Sequence, residues 1–278
     1  MTTRTVNAAS LDFREFEHRG WENVGEHYDD YFGSLTGQSI EPLLDAVGVQ
    51  AGDALLDVAT GPGYIAAAAA KRGARPTGLD FSAAMLAKAA ALHPRLDFRE
   101  GDAGNLPFAD ESFDVVVIGF GILHFPDPDR ALRETCRVLR KGGRLGLSVW
   151  AGADKAVGFG IVMRAVEKHG SSEAKLPGGP PFFRFSDRAE CSAAITAAGF
   201  TSVNMTEITQ TWRFPSAAAF FEGISASTVR TSALLRAQSA ERLSRIRTEV
   251  ENEVNRYALA DGSIALPMPA LLARADKP

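Results

Sequence analysis

Cysteine is almost missing: Cys136 and Cys191 are the only two in 278 residues. They are far apart and form no Cys-x-x-Cys or Cys/His arrangement, which argues against a disulfide framework or a structural zinc site. Both read as reduced thiols, with Cys136 on the buried face of a helix. No run of ~18 apolar residues is present, so nothing reads as a membrane span. The N-terminal stretch is polar and acidic and lacks the apolar segment of a secretory signal, so a cytoplasmic protein is expected. Positive charge is also in short supply. Lys and Arg number 30 against 34 Asp and Glu, the net charge is −4, and the cations are scattered. No basic stripe offers itself to a nucleic-acid backbone, and a small molecule is the expected partner. Repeats and low-complexity tracts are absent apart from an alanine run at 66–70, which is good helix sequence.

Apolar residues, by contrast, make up 45% of the chain, ample for a real core. The length suits one large domain, or a core with an appended cap. The most informative stretch runs from Leu55 to Ala66. It reads as a buried strand, a turn containing Gly61 and Gly63, and the start of a helix. A glycine turn admits a ligand close to the backbone. The helix N-terminus behind it offers free N–H groups and a positive dipole end. Gly61-Pro62-Gly63-Tyr64-Ile65-Ala66 satisfies the dinucleotide pattern G-x-G-x-x-G/A, with Asp80 at about the expected ~20 residues. A nicotinamide dinucleotide is therefore one candidate guest.

The surroundings favour another. Asp57 precedes Gly61 by four positions, giving Asp-x-x-x-Gly-x-Gly. Further along stand Pro76-Thr77-Gly78-Leu79-Asp80-Phe81-Ser82, Gly101-Asp102-Ala103-Gly104-Asn105-Leu106-Pro107-Phe108, Ser112-Phe113-Asp114-Val115-Val116-Val117-Ile118 and Arg137-Val138-Leu139-Arg140-Lys141-Gly142-Gly143-Arg144. In this order and at this spacing they resemble class I S-adenosylmethionine (AdoMet) methyltransferases, of the type 11 and quinone-biosynthesis-like group, over roughly residues 40 to 150. The resemblance implies that AdoMet is the cofactor and S-adenosylhomocysteine the product. It implies that the turn around Ala59, Gly61 and Gly63 holds the methionine end and that Asp57 meets its ammonium, directly or through water. Asp80 would accept from the two ribose hydroxyls, a bidentate task suited to a carboxylate. Asp102 would take the adenine amino group, with the N–H of Ala103 on a ring nitrogen. Three departures stand out. Ala59-Thr60 replaces the frequent Gly-Cys pair, and Lys141 replaces a frequent Pro. Where the quinone-ring C-methyltransferases usually show Arg-Asn-Val, this chain has Gly119-Phe120-Gly121-Ile122-Leu123-His124-Phe125, which speaks against a quinone as acceptor.

The patterns along the chain predict a doubly wound α/β fold with a mostly parallel seven-stranded sheet and helical cap insertions. Residues 1–37 read as a helical arm with spaced aromatics, 38–150 as the AdoMet-binding core, and 151–185 as a lid insertion. Residues 186–214 continue the core, 215–262 form a helical cap insertion, and 263–278 hold the last core strand. Ser82 and Asp127-Pro128 are helix starts. Leu132, Cys136 and Leu139 share a helical face, with Gly142 as its stop. Phe200 to Phe214 reads as strand six. Ala270 to Ala275 reads as the last strand, which the resemblance makes antiparallel. Leu243, Ile246, Val250, Val254 and Tyr257 form one apolar stripe, either packed on the lid or core or forming a dimer helix; monomer and homodimer both stay open.

Methyl transfer needs alignment, removal of a proton where required, and exclusion of water. No dedicated catalytic motif is visible. His124, just past the fourth strand, is the candidate base, since an imidazole titrates near neutrality; the alternative is that it caps a helix or orients a loop. Phe81 and Met85 are placed to sandwich adenine. Phe120 and Trp150 are placed to line the pocket, Phe120 toward the cofactor and Trp150 toward the substrate. Tyr28 or Tyr31 of the arm would close over the site, and Phe183 of the Phe-rich lid would meet a partly apolar substrate. Two other readings remain: a non-catalytic AdoMet-binding regulator and an NAD-dependent oxidoreductase.

Overall fold

Leu55, Leu56, Val58 and the run Val115–Ile118 are buried because helices cover both faces of the sheet they build. A computed structural model describes residues 8–24, 28–171 and 176–278. Its seven-stranded sheet contains β1 (Ala54–Val58), β2 (Arg75–Asp80), β3 (Asp97–Glu100), β4 (Phe113–Gly119), β5 (Leu139–Trp150), β6 (Thr201–Ile208) and β9 (Ala270–Asp276). The order is β3-β2-β1-β4-β5-β9-β6. β1 to β5 pair in parallel, and β9 runs antiparallel to both β5 and β6. The direction of winding reverses between β1 and β4, which opens a crevice at the carboxyl ends of those strands. Asp57 lies level with Gly78 on one side and Val117 on the other, so β1, β2 and β4 end together at that crevice.

The helices between these strands start where capping chemistry permits. Ser82 caps α5 (Ala83–Leu92) by accepting from the Met85 N–H at 3.2 Å. Asp127 caps α6 (Pro128–Val138) by accepting from Arg130 at 2.9 Å, with Pro128 in the first turn. α3 (Ile40–Ala46), α4 (Tyr64–Lys71) and α8 (Arg188–Ala197) complete the layers. α6 ends earlier than its sequence periodicity suggests. Leu139 is fully buried as the first residue of β5, paired with Phe113, and Gly142 (φ 70°) turns the chain inside that strand rather than ending the helix. Cys136 is half-buried, and Cys191 is buried.

Strand six is also shorter than expected. After Ile208 the chain leaves the sheet, and β7 (Thr211–Phe214) pairs instead with β8 (Ile264–Pro267) in a separate two-stranded ribbon. Contacts from the N-terminal region hold it there. Gln210 donates to the Leu35 carbonyl, Gln38 and Thr211 exchange two hydrogen bonds, and the Trp212 indole donates to the Tyr31 carbonyl at 2.8 Å. The arm is α1 (Ala8–Val24), a π turn over Asp29–Gly33 and the short α2 (Ser34–Thr36). The cap comprises α7 (Val157–His169), α9 (Ala217–Ser227), α10 (Arg230–Arg236) and α11 (Ala240–Val254). Ile246, Val250 and Val254 of α11 are fully buried in one cluster with Phe159 of α7 and Phe220 of α9, so its apolar stripe is covered within the chain. No described helix is long and apolar enough to cross a membrane.

Candidate active site

The glycine turn is shaped by the acids around it. Ala59 has a left-handed backbone (φ 58°), as do Gly61 (φ 52°) and Gly63 (φ 81°). For alanine that conformation costs about 1–2 kcal/mol. The Asp57 carboxylate ties the turn down. One oxygen accepts from the Thr60 hydroxyl at 2.7 Å and from the Ala66 N–H of α4 at 3.1 Å. Its other oxygen, Oδ1, is buried without a partner. Burial pushes the Asp57 carboxyl up to about 7. Asp80 holds the turn from the second strand, accepting from Gly61 N–H at 2.8 Å and Ser82 N–H at 3.0 Å. Burial raises its carboxyl as well. A side chain built on Gly61 would meet nothing, so open space flanks the backbone there, as a closely approaching ligand requires.

That space belongs to one cleft that opens to solvent. On the β1–β3 side its wall carries Ala59, Thr60, Gly61, Asp80, Phe81, Met85, Asp102 and Ala103. On the β4–β5 side it carries Phe120 and Trp150, joined by Trp21, Tyr28 and Phe32 from the arm, Phe159 of α7 and Phe182. Phe120 stacks on Trp150 with ring centroids 4.0 Å apart. Its backbone is left-handed (φ 55°) and is held by the N–H bonding both the carbonyl and the hydroxyl of Ser148. Tyr28 lies within hydrogen-bond reach of the Thr36 hydroxyl, and burial pushes its phenol up to about 12, so it stays protonated.

His124 lines the same cleft with 18% of its side chain exposed. Nδ1 lies 2.8 Å from a carboxylate oxygen of Glu17, which is fully buried on α1. The other Glu17 oxygen accepts from Arg230 Nε at 2.6 Å. Arg230 also donates to the Pro180 and Leu123 carbonyls and lies over the Phe13 ring. Burial alone would raise the Glu17 carboxyl, but His124 and Arg230 together hold it below its ordinary value. Trp21, one turn beyond Glu17, packs edge-on against the imidazole at 4.9 Å.

Most residues singled out in the sequence therefore converge on one cleft. Asp57, Gly63 and Phe183 stay out of its wall. Asp57 stands behind the turn. Gly63 begins α4, and a side chain there would come within 2.7 Å of Phe98. Phe183 packs on Phe182 and Phe159, and its neighbour Phe182 stands in the wall instead. Tyr31 stacks on Phe214 instead of facing the cleft. Asp102 is in place, but its oxygens are engaged by the Gly104 N–H at 2.8 Å and by Arg14 of the arm at 3.1 Å. Sequence reasoning missed Arg14, Glu17, Phe159 and Arg230. Trp21 and Phe32 are among the arm's spaced aromatics, and only the fold brings them into the wall.

A family model described as "Methyltransferase domain" matches residues 56–147. The demethylmenaquinone methyltransferase of Renibacterium salmoninarum is 36% identical over 193 residues, covering 66% of this chain and 81% of that protein. The demethylmenaquinone methyltransferase of Paenarthrobacter aurescens is 43% identical over 145 residues, covering 50% of this chain and 57% of the relative. Among solved structures, the YcgJ protein of Bacillus subtilis has a TM-score of 0.59 at 19% identity, covering 87% of this chain and 98% of that one. Phosphoethanolamine N-methyltransferase 2 of Haemonchus contortus, in complex with phosphomonomethylethanolamine and S-adenosylhomocysteine, also has a TM-score of 0.59 at 19% identity. It covers 96% of this chain and 60% of that one. At such identities the two structures show the shared fold alone. Order of motifs, sheet winding, glycine turn and relatives agree: this chain belongs to the AdoMet-dependent methyltransferases and is an enzyme of that class acting on a small molecule.

Proposed function

We propose that the β1–β3 side of the cleft holds AdoMet and that its aromatic side receives a small, partly apolar acceptor: a flat conjugated ring bearing an ionisable hydroxyl. The observation carrying this reading is the division of a single cleft. One side ends in a carboxylate at a glycine turn, the other in stacked aromatic rings beside one imidazole. Asp80 lines the wall, and its two oxygens, anchored by the Gly61 and Ser82 N–H groups, are the acceptors offered to the ribose hydroxyls. Ala59, Thr60 and Gly61 border the methionine end. The unpartnered oxygen of Asp57 suits its ammonium through a water, because Asp57 itself is not in the wall. Phe81 and Met85 flank adenine, and Asp102 and Ala103 meet its edge. AdoMet, when bound, supplies a methyl group already activated on sulfur. Phe120, Trp150, Phe32 and Phe159 align the acceptor and exclude water, and His124 takes the hydroxyl proton.

Charge narrows the acceptor further. Among the described residues both guanidiniums in the wall are paired, Arg14 with Asp102 and Arg230 with Glu17. A phosphate or carboxylate on the acceptor would have to share a guanidinium already serving Asp102 or Glu17. The relatives' name favours a quinol-type ring, and the stacked aromatics suit such a ring. In this chain Phe120 and His124 come from the stretch that departs from Arg-Asn-Val, so the acceptor's contacts are its own.

Calorimetry with S-adenosylhomocysteine and, separately, NAD⁺ tests the cofactor side. The expected result is binding of the first alone, weakened by about 1–3 kcal/mol in Asp80→Ala. Binding of NAD⁺ alone, or an unchanged affinity in the variant, would overturn it. Transfer of labelled methyl to amines but never to phenols or quinols would overturn the acceptor.

A further inference from the structure

Glu17 has no counterpart among the motifs, yet it is a fully buried carboxylate on the arm that touches the candidate base. We infer that Glu17 is the positioning residue of this site: it fixes His124 in the tautomer that carries its proton on Nδ1 and leaves Nε2 free to accept one. The inference rests on the reading of His124 as the base.

Donor and acceptor rules lead there. A carboxylate has no proton to give, so the 2.8 Å contact with neutral His124 requires the hydrogen on Nδ1. Nε2 then keeps its lone pair, and no described residue bonds to it. Arg230 keeps Glu17 ionised and stops it from turning, because a guanidinium only donates and occupies the second carboxylate oxygen at 2.6 Å. Trp21 blocks the ring from tipping. Glu17 and Trp21 are four residues apart on α1 and so share a face. The base is therefore oriented only when the arm is docked against α10.

This arrangement predicts the effect of an isosteric change. In Glu17→Gln, Arg230 demands the amide oxygen. The amide NH₂ then faces Nδ1, which must become an acceptor, and the imidazole proton moves to Nε2. A Glu17→Ala variant would leave the Arg230 charge buried and unpaired, and is the poorer probe.

The test is ring ¹⁵N spectroscopy on the full chain labelled at its five histidines, with the imidazoles neutral. His124 is assigned by the signals lost in His124→Asn. The expected spectra show Nδ1–H in the wild type and Nε2–H in Glu17→Gln. Glu17→Gln combined with Arg230→Met should return to Nδ1–H, since the amide can then rotate its oxygen toward the ring. A contact that merely glues the arm would not produce this reversal. A wild-type spectrum with Nε2–H overturns the inference whatever the stability of the variants. So does Nδ1–H persisting in Glu17→Gln. The base reading fails separately: methyl transfer to a phenol at an unchanged rate in His124→Asn would sink it while leaving the spectra as expected.

Discussion

Asp57 shows how far a residue's type reveals its work. Its position before the glycine turn marks it in the sequence, but that position cannot show that one oxygen is fully used inside the turn and the other is stranded. Its consequence is a pH dependence. Burial raises the folded-state carboxyl to about 7 from an ordinary 3.8. Between those values the folded protein holds a proton that the unfolded chain has released, so stability declines as pH rises through that window and is level above it. Glu17 acts the other way: its lowered carboxyl adds stability that is lost only as pH falls below about 4.5. Asp57→Asn should keep the Thr60 and Ala66 bonds through its amide oxygen and lose the decline. Denaturant unfolding across pH should find the variant more stable than wild type above neutrality by on the order of a few kcal/mol, each tenfold in proton affinity being about 1.4 kcal/mol. Parallel curves for the two proteins would refute this. Glu17 and Arg230 were illegible for a plainer reason. They lie 107 residues before and after their meeting points on His124 and Leu123, and no local pattern encodes such a contact.

At the scale of elements, legibility followed locality. β1, β2, β4 and the caps of α5 and α6 could be read because strand, turn and helix signals lie within a dozen residues of one another. The run from Phe200 to Phe214 could not. Between Ile208 and Trp212 stand three polar residues, Thr209, Gln210 and Thr211, with no Gly or Pro to mark a turn, and the break is imposed by Gln38, Leu35 and Tyr31 from the far end of the chain. α11 lies between these cases. Its apolar stripe was evident, and only the fold reveals the partner as α7 and α9. Because Ile246 is fully buried there but absent from the cleft wall, Ile246→Ala should cost about 2–5 kcal/mol of unfolding free energy while leaving S-adenosylhomocysteine affinity unaltered. A loss below 1 kcal/mol, or a comparable loss of affinity, would contradict the separation of cap packing from the site.

Across the whole molecule, the cleft is floored by the sheet and roofed by segments from three distant parts of the chain. α1 contributes Arg14 and Trp21, the stretch before α8 contributes Phe182, and α10 contributes Arg230. These roofing segments meet one another: Arg230 bonds Glu17 of α1 and the Pro180 carbonyl. The floor depends on buried strands, whereas the roof depends on a few polar links and on rings lying over the cleft. Such regions open locally at lower cost than the sheet does. A bound cofactor touching both should therefore tighten the roof more than the floor. At a hundredfold excess over its dissociation constant, S-adenosylhomocysteine adds about 2.7 kcal/mol to global stability. Hydrogen exchange should show its largest gain in protection in 12–24, 176–183 and 228–236, with β4 and β5 little changed at short times. The expected coupling comes from contact: Arg14 holds Asp102, and Trp21 holds His124, both in the cleft wall. Protection confined to the turn at 57–66 and to 80–85 would mean that the arm docks regardless of what the cleft contains. The closed arrangement of arm and α10 would then be independent of the ligand.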